Sequence, residues 1–95
     1  MIRVIATFLC RQEKVEEAIK LATELVTITR TEQGCAQYDL VQSTENSSCL
    51  VILEGWETQA DLDAHSASRH FTRLVPLLTG MCVEPPSVVQ YLQLL

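Results

Sequence analysis

A chain of 95 residues has room for one small core, so a single domain spanning residues 1–95 is expected. Apolar residues make up 47% of it, which argues against disorder, yet no apolar run approaches the roughly 18 residues that a membrane span needs. The net charge of −5, from 12 acidic and 7 basic residues with no basic stripe, argues against nucleic acid and anionic membrane surfaces as partners.

Ile2 to Leu9 is rich in β-branched and aromatic residues and stops at the polar run Arg11-Gln12-Glu13-Lys14, which reads as a strand. From Lys14 to Arg30, Val15, Ala18, Ile19, Ala22, Leu25 and Val26 recur at helical spacing, with Glu16, Glu17, Lys20 and Glu24 mostly on the other side. Gly34 offers a turn after this helix. Ala36 to Ser43 and Cys49 to Trp56 read as two strands, joined by a hairpin through Thr44-Glu45-Asn46-Ser47-Ser48. Thr58 has the character of an N-cap, with Asp61 in the position of the capping-box acid. That helix is expected to break near Ser66 to Ser68, where Ser68 can cap a second piece running toward Leu78, kinked by Pro76. Gly80 and Pro85-Pro86 end the helical region, and Ser87 to Leu94 supplies a fourth strand. The order βαββαβ with antiparallel pairing predicts an α+β, ferredoxin-like sandwich.

Two helices cover one face of a four-stranded sheet, so the other face should read polar. It does not: Ile2, Val4, Ala6 and Phe8 are opposed by Ile5 and Leu9. Val51 and Leu53 are opposed by Leu50, Ile52 and Trp56, and Val88 and Leu92 by Val89 and Tyr91. A second apolar face of that extent is most simply buried by a twofold copy of itself, so a homodimer joined through its sheet faces is expected.

The four cysteines, Cys10, Cys35, Cys49 and Cys82, are irregularly spaced and form no C-x-x-C pair, so zinc and dithiol motifs are absent. Ile2 to Leu9 is too short for a signal peptide and has no small-residue cleavage site; free thiols in a reducing, cytoplasmic setting are expected.

Chemistry concentrates in Trp56 to Phe71, WETQADLDAHSASRHF. A tryptophan closing an apolar strand, with histidines on the helix that follows, can wall a small-molecule pocket and supply its proton carriers. His65 lies three residues past Leu62, so both can face the sheet, and an imidazole exchanges protons near neutral pH. The competing reading is a histidine bonded to a backbone carbonyl near a helix end. Glu54, the one charge within Cys49 to Trp56, shares a side with Ile52 and Trp56. Lining a pocket, it would be a second proton carrier; otherwise it is solvated or paired with a residue such as Arg3. Trp56, Phe71 and Tyr38 can stack on a flat aromatic substrate or serve as core anchors. His70 follows Ser68 at a helix start, where a positive charge is disfavoured, and suits the pocket rim better than the role of base. The separation of His65 and His70 is not the i, i+4 spacing of a helical metal pair, so no metal site is read.

The pattern Trp56, Leu62, His65, Ser68, His70, Phe71 resembles that of the antibiotic biosynthesis monooxygenase family, with its H-x-x-S-x-H-F run. Further points of likeness are the MIRVIATF opening, the Glu32-Gln33-Gly34-Cys35 turn, Tyr38-Asp39-Leu40 and Glu84-Pro85-Pro86, so the resemblance covers nearly the whole chain. It implies a dimeric α+β barrel with a pocket between each subunit's helices and its own sheet. It also implies a small quinol-monooxygenase-like activity, the oxidation of a quinol, phenol or anthrone by dioxygen without flavin or metal. His65 would then be the base or its relay, and Trp56 and Phe71 would hold the ring. The chain's three glycines, Gly34, Gly55 and Gly80, form no dinucleotide or phosphate loop, which agrees with a cofactor-free site.

Haem-degrading enzymes share that fold, but Leu74-Val75 stands where their ligand histidine would be, and the one asparagine, Asn46, is in a turn. Two further alternatives stay open: an isomerase or hydrolytic enzyme acting on a small carbonyl or sugar-like metabolite, and a non-catalytic dimer that binds a small ligand or packs against other proteins.

Overall fold

The computed structural model describes residues 1–95. Strand β1 (Ile2–Leu9) leads through a 3-10 turn (Gln12–Lys14) into helix α1 (Val15–Thr29); β2 (Cys35–Gln42) and β3 (Cys49–Trp56) follow as a hairpin. Helices α2 (Gln59–Ser66) and α3 (Arg69–Gly80) come next, and β4 (Ser87–Leu92) closes the chain. The four strands form one antiparallel sheet in the order β2-β3-β1-β4. This is the expected α+β, ferredoxin-like sandwich, and no helix is long and apolar enough to cross a membrane.

The caps read from the sequence set the helix boundaries. The Thr58 hydroxyl accepts from the Asp61 N–H at 3.1 Å and starts α2; the Ser68 hydroxyl accepts from the Phe71 N–H at 3.3 Å and starts α3. Ser68 also donates to the His65 carbonyl at 2.7 Å, so one side chain both closes α2 and opens α3. Three boundaries differ from expectation. Lys14, expected to open α1, ends the 3-10 turn instead, β2 sits one residue earlier, and β4 stops at Leu92. Pro76 lies inside α3 without ending it, and the helix continues to Gly80.

Register assigns the two sheet faces. Ile2, Val4, Ala6 and Phe8 stand opposite Trp56, Glu54, Ile52 and Leu50, and this face carries the helices. Val4, Ala6, Phe8, Leu50, Ile52 and Trp56 are buried there against Ala18, Ala22, Leu25, Leu74 and Leu78. The opposite face holds Ile5, Val51, Leu53, Val41, Val89 and Tyr91, beside a polar corner in which Arg3 bonds Gln37 and Arg30 bonds Asp39 at 2.9 Å. Ile5, Val41, Val89 and Tyr91 are exposed on it. Every residue of edge strand β4 is exposed.

Candidate functional site

Helices α2 and α3 do not close down on the sheet along its whole length. They leave a cavity of about 460 Å³ over β1 and β3, within the range of small-molecule sites. Val4, Ala6, Phe8 and Ile52 form its floor, and Leu25, Phe71 and Val75 supply apolar walls. Four groups able to carry a proton line it: Glu54, His65 and Tyr38, which are buried, and Asp63, which is exposed. At the mouth, Gln90 on β4 donates from its side chain to Gln59 at the start of α2, at 2.6 Å.

The local sequence explains how each group arrives. Glu54 sits opposite Val4 on the covered face because its strand alternates, and it is 6% exposed. The indole N–H of Trp56, two residues along the same face, donates to Glu54 Oε1 at 2.9 Å. Burial pushes the Glu54 carboxyl up to about 7; the indole bond works against this, and the nearby Glu32 charge adds to it. Arg3, an expected alternative partner, lies on the other face and bonds Gln37. Glu54 therefore titrates around neutrality inside an apolar cavity.

His65, on the last turn of α2, is 1% exposed. Its Nδ1 lies 3.1 Å from Glu32 Oε1. An ionised carboxylate only accepts, so this bond places the ring proton on Nδ1. Burial lowers the imidazole pKa, and the Glu32 bond and charge oppose that without overcoming it. A neutral ring protonated at Nδ1 leaves Nε2 with its lone pair free, and Nε2 is buried with no hydrogen-bond partner. An orphaned acceptor on a residue lining a cavity is suited to take a proton from a bound molecule.

Glu32, which the sequence places only in the family-like turn Glu32-Gln33-Gly34-Cys35 and gives no role, is a further member of the site. It comes from the turn after α1 and also accepts from His70 Nε2, so one carboxylate holds both imidazoles. The turn is fixed by Gly34, at φ +79°, whose missing side chain makes room for Asp61 at the start of α2. The Glu57 N–H donates to the Gly34 carbonyl at 2.9 Å and ties the turn to the strand–helix junction. Glu32, His65 and His70 each offer a donor atom, and these atoms lie within 4.8 Å of one another, so they are the residues that could hold a divalent cation. Spacing between the two histidines could not reveal that set, because its third member lies more than thirty residues upstream of His65. A cation there would have to displace the ring protons that now bind Glu32.

The other expected site residues divide by position. Tyr38 and Phe71 line the cavity, their rings edge-on to His65 at 5.2 and 5.0 Å. Burial pushes the Tyr38 phenol well above its ordinary range, with the Glu54 and Glu32 charges adding, so it stays protonated. Trp56 and His70 stand behind the wall. Trp56 is fully buried, its ring 4.6 Å from that of His65, because the histidine packs over it and shields it from the cavity. His70 packs behind His65 with its ring turned to Glu32 and Ser68. These two reach the cavity through Glu54 and through Glu32 with His65, respectively. Of the pair at the haem-ligand position, Leu74 is buried in the core and Val75 lines the cavity, and neither can ligate iron.

The chain is 34% identical over 80 residues to a Bacillus subtilis protein named "Putative monooxygenase YcnE", an overlap covering 84% of each. A crystal structure of an antibiotic biosynthesis monooxygenase superposes with a TM-score of 0.94 at 36% identity, covering 99% of both chains. A conserved protein from Methanosarcina mazei superposes with a TM-score of 0.92 at 36% identity, covering 95% of this chain and 89% of the other. The sequence model for antibiotic biosynthesis monooxygenases matches residues 1–77, a span that includes β1 to β3, Glu32, Glu54, His65 and His70. The chain belongs to the antibiotic biosynthesis monooxygenase family.

Proposed function

We propose that the protein is a cofactor-independent monooxygenase that oxidises a small electron-rich aromatic (a quinol, phenol or anthrone) with dioxygen in the cavity between its helices and its sheet. The observation that carries this reading is His65: a neutral imidazole pinned at Nδ1 by Glu32, with a buried, unpartnered Nε2 on a residue lining an apolar cavity.

Nε2 of His65 removes the phenolic proton, and Glu32 stabilises the imidazolium that results. The substrate anion gives one electron to dioxygen, and the radical pair combines at the ring carbon to form a substrate hydroperoxide. Loss of water from it leaves the carbonyl of a quinone: one oxygen atom stays on the product and the other leaves as water. Glu54, protonated up to about neutral pH, donates to the departing oxygen. Phe71 and Tyr38 orient the ring, Trp56 and His70 hold Glu54 and Glu32 in place, and the apolar floor keeps water from the radical pair. No flavin or metal enters this scheme.

The active species in this reading is a homodimer joined through the open sheet faces, supported by the exposed Ile5, Val41, Val89 and Tyr91. The domain spans residues 1–95, since β4 lies beyond the matched segment yet pairs with β1 from Ile2 to Thr7. Four free cysteines suit a reducing, cytoplasmic location. The test is oxygen uptake by metal-stripped protein with a panel of hydroquinones, naphthoquinols and anthrones, corrected for autoxidation, beside His65→Ala. Uptake above background that the substitution removes supports the proposal. No uptake across the panel sinks it and moves the ligand-binding and isomerase readings ahead.

A further inference from the structure

Cys10, just past the end of β1, and Cys82, just past the end of α3, face each other across an isolated antiparallel bridge. The flanking hydrogen bonds identify the kind of pair. The Arg11 N–H donates to the Met81 carbonyl and the Val83 N–H to the Leu9 carbonyl, both at 2.8 Å. The cysteines exchange no backbone bond with each other: Cys10 N–H goes to Ser48 at 2.9 Å and Cys82 N–H to Thr79 at 3.1 Å. This is the non-hydrogen-bonded pair of an antiparallel ladder, in which Cα atoms stand about 4.5 Å apart and side chains on one face come close. Such a separation lies inside the window of roughly 4.4–6.8 Å in which two cysteines join without backbone movement. Each thiol now donates to a nearby carbonyl, Cys10 to that of Phe8 at 4.0 Å and Cys82 to that of Leu78 at 3.3 Å.

The remaining cysteines are placed apart from this pair. Cys49 stands opposite Leu9, so it projects from the other face of the sheet, and Cys35 pairs with Trp56 at the sheet's far end.

We propose that Cys10 and Cys82 form an oxidation site that closes to an intrachain disulfide, tying the end of β1 to the connection between α3 and β4. Two S–H bonds break and one S–S bond forms, and the two electrons and two protons pass to a low-molecular-weight disulfide such as oxidised glutathione, released as two thiols. Half-buried Cys82 attacks first and buried Cys10 resolves the mixed disulfide. Burial pushes both thiols up, Cys82 to about 11, so the thiolate is scarce at neutral pH and closure speeds up as pH rises. Thr79 and Pro86, which line the cavity, flank Cys82, so the bond fixes that rim.

The experiment treats the intact protein with oxidised glutathione at mildly alkaline pH, alkylates remaining thiols with iodoacetamide and maps tryptic peptides without reduction. Cleavage separates Cys10 (residues 4–11), Cys82 (residues 74–95) and the Cys35–Cys49 pair (residues 31–69). The expected product is peptide 4–11 joined to 74–95, with a Tm raised on the order of 10 °C and restored by dithiothreitol. Cys82→Ser should abolish both changes. Alkylation of both Cys10 and Cys82 after oxidation, a persistent glutathione adduct, a link through peptide 31–69, or an unchanged Tm would each overturn the proposal. The wild-type peptide map decides the question alone should a variant fold poorly.

Discussion

Glu54 gives the account its sharpest quantitative exposure, because its carboxyl costs the fold stability as it ionises. Its pKa rises from 4.5, the ordinary value, to about 7 when it is buried beside Ile52 and Trp56. A carboxyl with a raised native pKa binds more protons folded than unfolded between those two values. Stability therefore falls as pH rises through that window and levels off above about 7. At about 1.4 kcal/mol per pH unit the full displacement is worth ~3 kcal/mol, of which ~2.5 kcal/mol falls between about pH 5 and pH 8. Glu54→Gln keeps the shape and can still accept from the Trp56 indole, but it cannot ionise. Urea denaturation of both proteins at the two pH values isolates the effect, since every other titrating group, His65 included, cancels in the difference. The wild type should lose ~2.5 kcal/mol more than Glu54→Gln on going from about pH 5 to pH 8. Parallel pH dependence in the two proteins would refute both the burial argument and the assignment of Glu54 as an acid near neutrality.

His65→Ala should lower turnover by roughly 10²- to 10⁴-fold while circular dichroism reports an intact fold, with a Tm lowered by the space left beside Trp56. Glu32→Gln replaces a charge-assisted hydrogen bond by a neutral one, so turnover should fall about 10-fold. Because the Glu32 charge raises the His65 pKa, losing it should also move the acidic limb of the pH–rate profile to lower pH; a limb that stays or moves up would contradict the pairing. Gly34→Ala forces a side chain into a positive φ against Asp61 and should cost about 1–3 kcal/mol, read as a drop in Tm; no drop would mean that the turn holding Glu32 is not constrained as described. Val51→Lys and Val89→Lys each place a charge on the open sheet face and should convert the proposed dimer to monomer by light scattering. An unchanged mass for both would remove that interface.

Much of the fold was legible because it rests on local chemistry. Alternation along β1 and β3 sorted the residues into two opposed sets, though not which set the helices cover, and Thr58 and Ser68 marked the two helix starts because short hydroxyl side chains satisfy N–H groups that a helix leaves bare. Glu54 could be placed beside Trp56 from strand spacing alone, although the hydrogen bond between them needed coordinates. Glu32 could not be found this way. It meets His65 and His70 only because α1 packs on α3 and the turn after α1 is tied to Glu57, and the family likeness of that turn gives the glutamate no role by itself. The retreat of Trp56 and His70 behind the cavity wall was hidden for the same reason: a residue type suggests that a ring is near a site, but packing decides which ring faces it. The Cys10–Cys82 pairing also depends on register beyond the regular strands, where sequence carries no periodicity to read.

In the proposed reaction one atom of dioxygen enters the aromatic substrate after His65 has taken its proton. The most direct measurement is turnover under isotopically labelled dioxygen in metal-stripped protein, with product and water analysed by mass spectrometry beside His65→Ala. One labelled oxygen is expected in the product, the second in water, and no enzyme-dependent label with the variant. Labelled hydrogen peroxide with an unlabelled product, or equal incorporation by His65→Ala, would contradict the proposed reaction.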